Sequence, residues 1–325
     1  MEYRYSQVSS VAGKSLSNAL FVVSFALYCF VSNTAFARNS VTVIYPVYHN
    51  DTDKIIAEIR EGITNSSTID TSEIPFDTAN KSSAIIKRIR SLSEDEIVIT
   101  LTSDLKDVIR TSGFNGLLID GVSSDLTRRN STINVGIEPS PYTYIDTALK
   151  IRPDIKNIIY FTFYNDDKNE ERRVEKRSDD KLDIKVVNIE GIDDAMHKIS
   201  DVIALYDPSE TAIWLPNQIL SISNNTVLRY VLREAWRKSF IVFTDSLEAV
   251  ARGLLFSLMP DYRSYGEYLA SIAGDVTKDN DDTRSESIKY FNDVYLMLNQ
   301  RFSVHLGLNI NRSLFDKYKI VVPAK

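Results

Sequence analysis

The sequence predicts an α/β protein built from two doubly wound parallel-sheet lobes joined by a hinge. From Val41 onward, short runs rich in β-branched residues alternate with amphipathic segments, as a parallel sheet with crossover helices requires. The runs are continuously apolar, which is typical of strands that are buried on both faces of a sheet. The alternation is interrupted near Pro153 and then repeats, which indicates the same architecture used twice.

Six segments have the composition of buried strands: residues 41–45, 96–100, 116–119, 157–161, 212–215 and 240–243. Between the first two, isoleucines recur from Lys54 to Ile63 at three- and four-residue spacing and predict one buried helix face. Pro153 ends the preceding helix and Asn157 begins a new strand. The sequence therefore predicts that the chain passes between the lobes at residues 151–154.

The first residues predict export. Arg4 and Lys14 supply a basic start, residues 19–31 are nearly all apolar, and the small residues around Ala37 suit a signal peptidase. We expect residues 1–37 to be a signal peptide that is cleaved near Ala37, which would place the protein in the periplasm.

The alternative for this segment is a membrane anchor. The apolar run is shorter than the roughly 20 residues that a membrane-spanning helix needs, so cleavage is favoured over retention. The one cysteine, Cys29, lies within it after a bulky tyrosine, which suits a lipoprotein cleavage site poorly. The exported chain would contain no thiol, which excludes disulfides, cysteine nucleophiles and thiolate metal sites.

Charge and motifs exclude several classes of function. A net charge of −6 argues against nucleic acid or an anionic membrane as the main partner. The three histidines, His49, His197 and His305, lie far apart and outside any zinc-protease motif. The chain also lacks a serine-hydrolase elbow, a phosphate loop and a dinucleotide fingerprint. We therefore expect no enzymatic activity, cofactor or metal.

Polar and aromatic residues follow the predicted strands, where ligands of open parallel sheets bind. Thr102 and Ser103 begin a helix, where they either hold a ligand carboxylate or simply cap the helix. Asp245 either pairs with a ligand ammonium or hydroxyl, or caps its own helix. Tyr45 and Tyr48 either stack on a ligand ring or line the cleft.

The segment from Trp214 to Ala273 carries a more specific pattern. A strand ends in the polar pair Thr244-Asp245, a second strand begins at Gly253, and a helix opens with Asp261-Tyr262. A strand ending at Asn299, followed by a helix and the pair Leu306-Gly307, closes the pattern. This order resembles the ABC transporter substrate-binding family whose better-known members serve aromatic amino-acid transporters.

The resemblance implies a type I periplasmic binding fold with three crossings between the lobes. The first lobe would comprise residues 38–152 and about 252–285, and the second residues 153–251 and about 286–325. The strand from Gly253 and the helix from Tyr262 would return to the first lobe, and the segment from about Lys289 to the second. The family's ligand contacts map here onto Tyr45, Tyr48, Thr100, Thr102, Ser103, Tyr164, Asn217 and Asp245.

The resemblance also implies a function. The protein would capture a small organic ligand between its lobes, with an amino acid or related carboxylate favoured, and deliver it to the membrane permease of an ABC transporter. The alternative is a sensor that docks on a membrane protein such as a histidine kinase or a diguanylate cyclase and reports whether ligand is bound. A monomer is expected in either case.

Overall fold

The computed structural model describes residues 39–77, 83–102, 104–122, 132–163, 174, 181–221, 226–275, 289–310 and 317–321. The expected signal peptide, Ser103 and Tyr164 lie outside these residues. No helix within the described ranges combines the length and the apolar character that crossing a membrane would require.

The strands of the described residues form two sheets. In chain order they are β1 (Asn39–Val47), β2 (Ile69–Asp77), β3 (Ile97–Thr100), β4 (Leu118–Asp120), β5 (Thr132–Pro139), β6 (Asn157–Phe163), β7 (Asp183–Ile189), β8 (Thr211–Trp214), β9 (Ile241–Phe243), β10 (Phe256–Pro260), β11 (Lys289–Phe291), β12 (Val294–Asn299) and β13 (Tyr318–Val321). The six strands that the sequence predicts correspond to β1, β3, β4, β6, β8 and β9.

Helices connect the strands and cover the sheets. They are α1 (Thr52–Thr64), α2 (Ser83–Arg90), α3 (Asp104–Thr111), α4 (Pro141–Ile151), α5 (Ile192–Leu205), α6 (Asn217–Ser221), α7 (Thr226–Lys238), α8 (Leu247–Arg252), α9 (Tyr262–Asp275) and α10 (Gln300–His305).

The first sheet has six strands in the order β11-β5-β4-β3-β1-β2, and all its pairings are parallel. The second has seven strands in the order β13-β12-β10-β9-β8-β6-β7, with one antiparallel pair, β10 and β12. The predicted class, two α/β lobes with mainly parallel sheets, is confirmed.

Side-chain alternation along the strands divides the first lobe into two apolar layers. Val41 and Val43 of β1 pack on one face with Ile59 of α1 and Leu269 of α9. Ile44 of β1 packs on the other face, against α2 and α3. Because successive side chains of a strand point to opposite faces, a continuously apolar strand is buried by helices on both sides, as in this lobe.

The first crossing between the lobes differs from the prediction. Helix α4 packs in the core of the second lobe through Tyr144, Ile145 and Ala148, so the chain has already crossed between Pro139 and Pro141. Ser140 begins α4 by accepting a hydrogen bond from the Tyr142 backbone N–H. The boundary expected at residue 152 is wrong, because a proline after α4 ends this helix without moving the chain to another lobe.

The other two crossings are also displaced from their predicted positions. The strand after Gly253 does not return to the first lobe: β10 lies in the second sheet between β9 and β12. The chain returns only with α9, which packs against α1 in the first lobe. Strand β11 then pairs with β5 in the first sheet, so the last crossing lies at Asn292 and Asp293 rather than before Lys289.

An ion-pair cluster ties the second and third crossings together. Lys317 Nζ lies 2.5 Å from a carboxylate oxygen of Asp261 and 2.8 Å from one of Asp293. The Asp261 backbone N–H also donates to the Asp293 carbonyl at 3.0 Å. Partial burial lowers the pKa of the Lys317 ammonium, but the two carboxylates raise it by more than burial lowers it. We call Lys317, Asp261 and Asp293 the hinge cluster.

Helices α1 and α9 approach so closely that their contact requires glycine. A Cβ atom on Gly266 would lie 2.0 Å from the Ile59 carbonyl oxygen. Gly266→Ala should therefore lower the free energy of unfolding by about 1–3 kcal/mol through overpacking, as measured by denaturant unfolding.

The matched control is Gly191→Ala. Gly191 lies at the start of α5 with extended backbone, and no atom lies within 4 Å of a Cβ placed there. Equal destabilisation by both substitutions would contradict the close contact between α1 and α9.

Candidate functional site

A cavity of about 340 Å³ lies at the carboxyl edge of the second sheet, beside the crossings. One side is formed by crossing residues of β5 and β10, including Glu138, Pro139 and Pro260. The other side is formed by α4 and the ends of the second-lobe strands. Its volume falls in the range of about 300–1,000 Å³ that is usual for small-molecule sites.

An aromatic ladder crosses four neighbouring strands below this cavity. Tyr160, Trp214, Phe243 and Phe256 lie opposite one another in the register of β6, β8, β9 and β10. The ring centroids of Tyr160 and Trp214 are 4.5 Å apart, and those of Phe243 and Phe256 are 4.8 Å apart. The ladder therefore gives the cavity a rigid apolar floor.

Four aromatic residues line the cavity: Tyr262 at the start of α9, and Tyr144, Tyr160 and Trp214 of the second lobe. The last three are in contact with one another. Tyr144 of α4 stacks on Trp214 with 5.2 Å between centroids. The buried indole N–H of Trp214 has no hydrogen-bond partner among the described residues. Leaving a buried donor unpaired costs about 1–3 kcal/mol. A ligand acceptor that bound this N–H would remove that cost. We call Tyr144, Tyr160 and Trp214 the aromatic wall.

Asp245 adds a carboxylate to the cavity lining. It follows β9 and accepts a hydrogen bond from the Asn217 backbone N–H at 2.5 Å. It does not cap α8, because Ser246 does so by accepting from the Ala249 N–H at 3.3 Å. Although the side chain is exposed to the cavity, the surrounding protein removes much of its hydration. This desolvation exceeds the effect of the hydrogen bonds and raises the pKa of Asp245.

Glu138 adds a second carboxylate, from the end of β5 in the first crossing. The Glu138 side chain is exposed to the cavity, as that of Asp245 is, but the protein around it still removes part of its hydration. This desolvation raises the pKa of Glu138, and the negative charge of Asp245 raises it further. Among the described residues that line the cavity, none is a lysine, arginine or histidine. The two carboxylates therefore lack a cationic partner among the described residues of the cavity lining.

Tyr144 contributes a neutral hydroxyl to this acidic surrounding. The hydroxyl donates to the Leu258 carbonyl at 3.4 Å. Burial raises the pKa of Tyr144, and the charge of Asp245 adds to the effect. Tyr144 therefore stays protonated and offers a ring face rather than a third negative charge.

The structure brings only part of the predicted site to the cavity. Asn217 and Asp245 line it, and Asp245 binds the Asn217 backbone directly. Tyr45, Tyr48 and the two threonines do not line it. Ser103 and Tyr164 lie outside the described residues, so their roles stay predictions.

The remaining first-lobe residues have local partners or are exposed. The Tyr45 ring is covered by the Arg60 guanidinium, whose carbon lies 3.7 Å from the ring centroid. Thr100 and Thr102 are buried, and the Thr100 hydroxyl donates to the Thr102 carbonyl at 3.0 Å. Tyr48 is 38% exposed and is the most accessible of the four.

Sequence reasoning missed Glu138 and the aromatic wall. The signal for Glu138 was the run Pro139-Ser140-Pro141 directly after a strand, since two prolines so close together mark a change of direction. Tyr160 and Trp214 were recognised only as parts of apolar strands. Their alignment depends on strand register, which the sequence does not reveal.

The raised pKa of Glu138 predicts a stability effect. An acid whose pKa is higher in the folded than in the unfolded state destabilises the fold once it ionises. At neutral pH, Glu138→Gln should raise the melting temperature of the ligand-free protein. The difference should shrink as the pH falls through the raised pKa and vanish below about 4.3, the ordinary glutamate value.

Glu248→Gln is the control for this measurement. Glu248 lies in the first turn of α8 with 80% of its side chain exposed, and it does not line the cavity. If Glu138→Gln made the protein less stable than wild type at neutral pH, the Glu138 charge would have to be stabilised by a cation. That result would contradict a lining without a cation among the described residues.

The sequence matches no protein-family model and no curated protein. Comparison with solved structures does find similar folds. The ligand-free, open structure of a substrate binding protein with adhesive properties from Clostridium difficile aligns with a TM-score of 0.60 and 12% identity. The alignment covers 87% of this chain and 99% of that one.

Two further structures are similar at lower scores. An ABC domain in complex with L-Trp from Streptococcus pneumonia has a TM-score of 0.46 and 15% identity, over 87% of this chain and 100% of that one. A periplasmic ribose ABC transporter from Conexibacter woesei has a TM-score of 0.47 and 14% identity, over 83% and 95% of the two chains. At such identities a similarity shows the fold and leaves the ligand open. The chain has the type I periplasmic binding protein fold.

Proposed function

We propose that this protein is an exported binding protein that captures a small organic ligand between its lobes and delivers it to the membrane permease of an ABC transporter. The observation that carries the proposal is the cavity beside the crossings, which combines an aromatic wall with two placed carboxylates. Small-molecule sites have this composition: mainly apolar walls with a few polar groups that orient the ligand.

The crossings suit a hinge that closes on the ligand. Short segments near Ser140, Asp261 and Asn292 connect the lobes, and hinge closure changes the backbone at a few such residues while each lobe stays rigid. Closure would bring the first lobe toward the cavity, and Tyr48 is the most exposed of the described first-lobe residues predicted to contact ligand. A permease would then distinguish the closed from the open form.

The proposed function is binding without turnover. Asp245 is held by the Asn217 backbone, and Tyr144 by the Leu258 carbonyl. Two carboxylates with raised pKa values also occur in acid–base enzymes. A binding protein, unlike such an enzyme, must release the bound compound chemically unchanged.

Thermal-shift screening should identify a ligand. We expect at least one stabiliser among amino acids, small carboxylates, amines, sugars and purines, because a ligand at a hundred times its Kd adds about 2.7 kcal/mol. Asp245→Asn should reduce the shift, while the asparagine oxygen can still accept the hydrogen bond from Asn217. Glu248→Gln should leave it unchanged.

Two outcomes would contradict the proposed function. One is the absence of any stabiliser across all five classes of compound. The other is chemical conversion of the stabilising compound by the purified protein, detected by mass spectrometry after prolonged incubation.

Export is tested with the full chain in a Gram-negative host. The periplasmic protein should begin at Arg38, as shown by N-terminal sequencing, because small residues at Ala35 and Ala37 direct cleavage. Ala37→Leu should block cleavage, whereas Phe36→Leu, at the position between them, should not. Uncleaved wild-type protein in the membrane fraction would instead indicate an anchor.

A further inference from the structure

We propose that the ligand is an organic cation, an amine or quaternary ammonium compound, whose charged group lies between Glu138 and Asp245 and whose body packs on the aromatic wall. This inference rests on the proposed function and narrows the class of ligand. It departs from the amino acid or carboxylate that the sequence favours.

The first argument is charge balance. Glu138 comes from the first crossing and Asp245 from the end of β9, so the two carboxylates approach the cavity from different parts of the fold. Their mutual repulsion and their loss of hydration disfavour the empty, doubly ionised site. The charge of a bound cation would offset both costs together, whereas a neutral ligand would leave the repulsion in place.

The ion pairs of the second lobe sharpen this contrast. Some other carboxylates beside helix ends have a cation at hand, such as Asp194 with Lys198 at 2.8 Å, or Asp261 with Lys317. Asp245 instead has a backbone amide and the Thr244 hydroxyl as its hydrogen-bond partners. The described part of the cavity lining therefore keeps its negative charge without a cation beside it, unlike Asp194 and Asp261.

The second argument is the aromatic wall. The faces of Trp and Tyr rings attract a cation electrostatically, and more strongly where the cation is desolvated. Tyr144, Tyr160 and Trp214 are nearly fully buried and packed against one another, so the rings are fixed in place before a ligand arrives. A ligand meets only the part of each ring that lines the cavity. Rings and carboxylates therefore favour the same charge.

The charge of the cavity disfavours the main alternatives. The carboxylate of an amino acid or organic acid would be a third negative group with no cation in the described lining to receive it. A sugar could stack on the wall and donate to both carboxylates, but it brings no charge to offset theirs. Among ligands of similar size, a cation without a carboxylate gains most.

The test compares matched compounds that differ in their ammonium, hydroxyl and carboxylate groups. Tyramine, tyrosol and tyrosine share a phenol ring but carry an ammonium, a hydroxyl, or an ammonium with a carboxylate. Putrescine, butanediol and ornithine repeat the comparison without a ring, and choline supplies a quaternary cation. Binding to the purified protein is followed by thermal shift and by tryptophan fluorescence, since Trp214 lines the cavity.

We expect tyramine, putrescine or choline to bind, and each binding amine to bind more tightly than its hydroxyl and carboxylate counterparts. Glu138→Gln should raise the Kd of that cation about tenfold or more, because a charged partner is lost. Glu248→Gln should leave the Kd unchanged. A Glu138→Gln protein with wild-type cation affinity would overturn the inference.

The outcomes separate this inference from the function on which it rests. Tighter binding of tyrosol, tyrosine, butanediol or ornithine than of the matching amine would overturn the cation but keep a ligand-binding protein. No binding by any of the seven compounds would count against the cation, and the broader screen for stabilisers would then decide the proposed function by itself.

Discussion

The side-by-side passage of the crossing segments determines where everything else in this structure lies. Strand β5 pairs with β11 in the first sheet, β10 pairs with β12 in the second, and the hinge cluster ties the end of β10 to the segment between β11 and β12. Because β5 extends past its neighbour β4, it carries Glu138 to the edge of the second sheet. The cavity therefore forms where the lobes are joined, and hinge motion would directly alter its walls.

The cavity is locally unfavourable to the fold, as binding sites often are. Two carboxylates lose hydration without a cation in the described lining, and the Trp214 N–H is buried without a partner among the described residues. The rest of the second lobe compensates through a continuous apolar core and an aromatic ladder in register across four strands. The rigid aromatic floor holds the two carboxylates and the Trp214 N–H in place for a ligand.

Prediction from sequence succeeded where the physics was local. The apolar strands and the buried face of α1 follow from side-chain periodicity, and both appear as expected. Asp245 and Asn217 were identified because they follow strands. The crossings were misplaced because Pro153 and Pro141 give the same local signal. Only packing decides which lobe buries α4, through Tyr144, Ile145 and Ala148.

The sequence by itself determined the α/β class, the use of two similar lobes and the concentration of polar residues at strand ends, because these depend on spacing along one segment. Tertiary structure alone decided the strand register, the lobe to which each crossing segment belongs, and the placement of Glu138 and Asp245 in the lining of one cavity. Those features depend on contacts between residues far apart in the chain, such as Tyr160, Trp214 and Phe243 on adjacent strands. Spacing within a segment carries no information about such contacts. The charge and the shape of the cavity depend on them, because its lining residues come from distant parts of the chain.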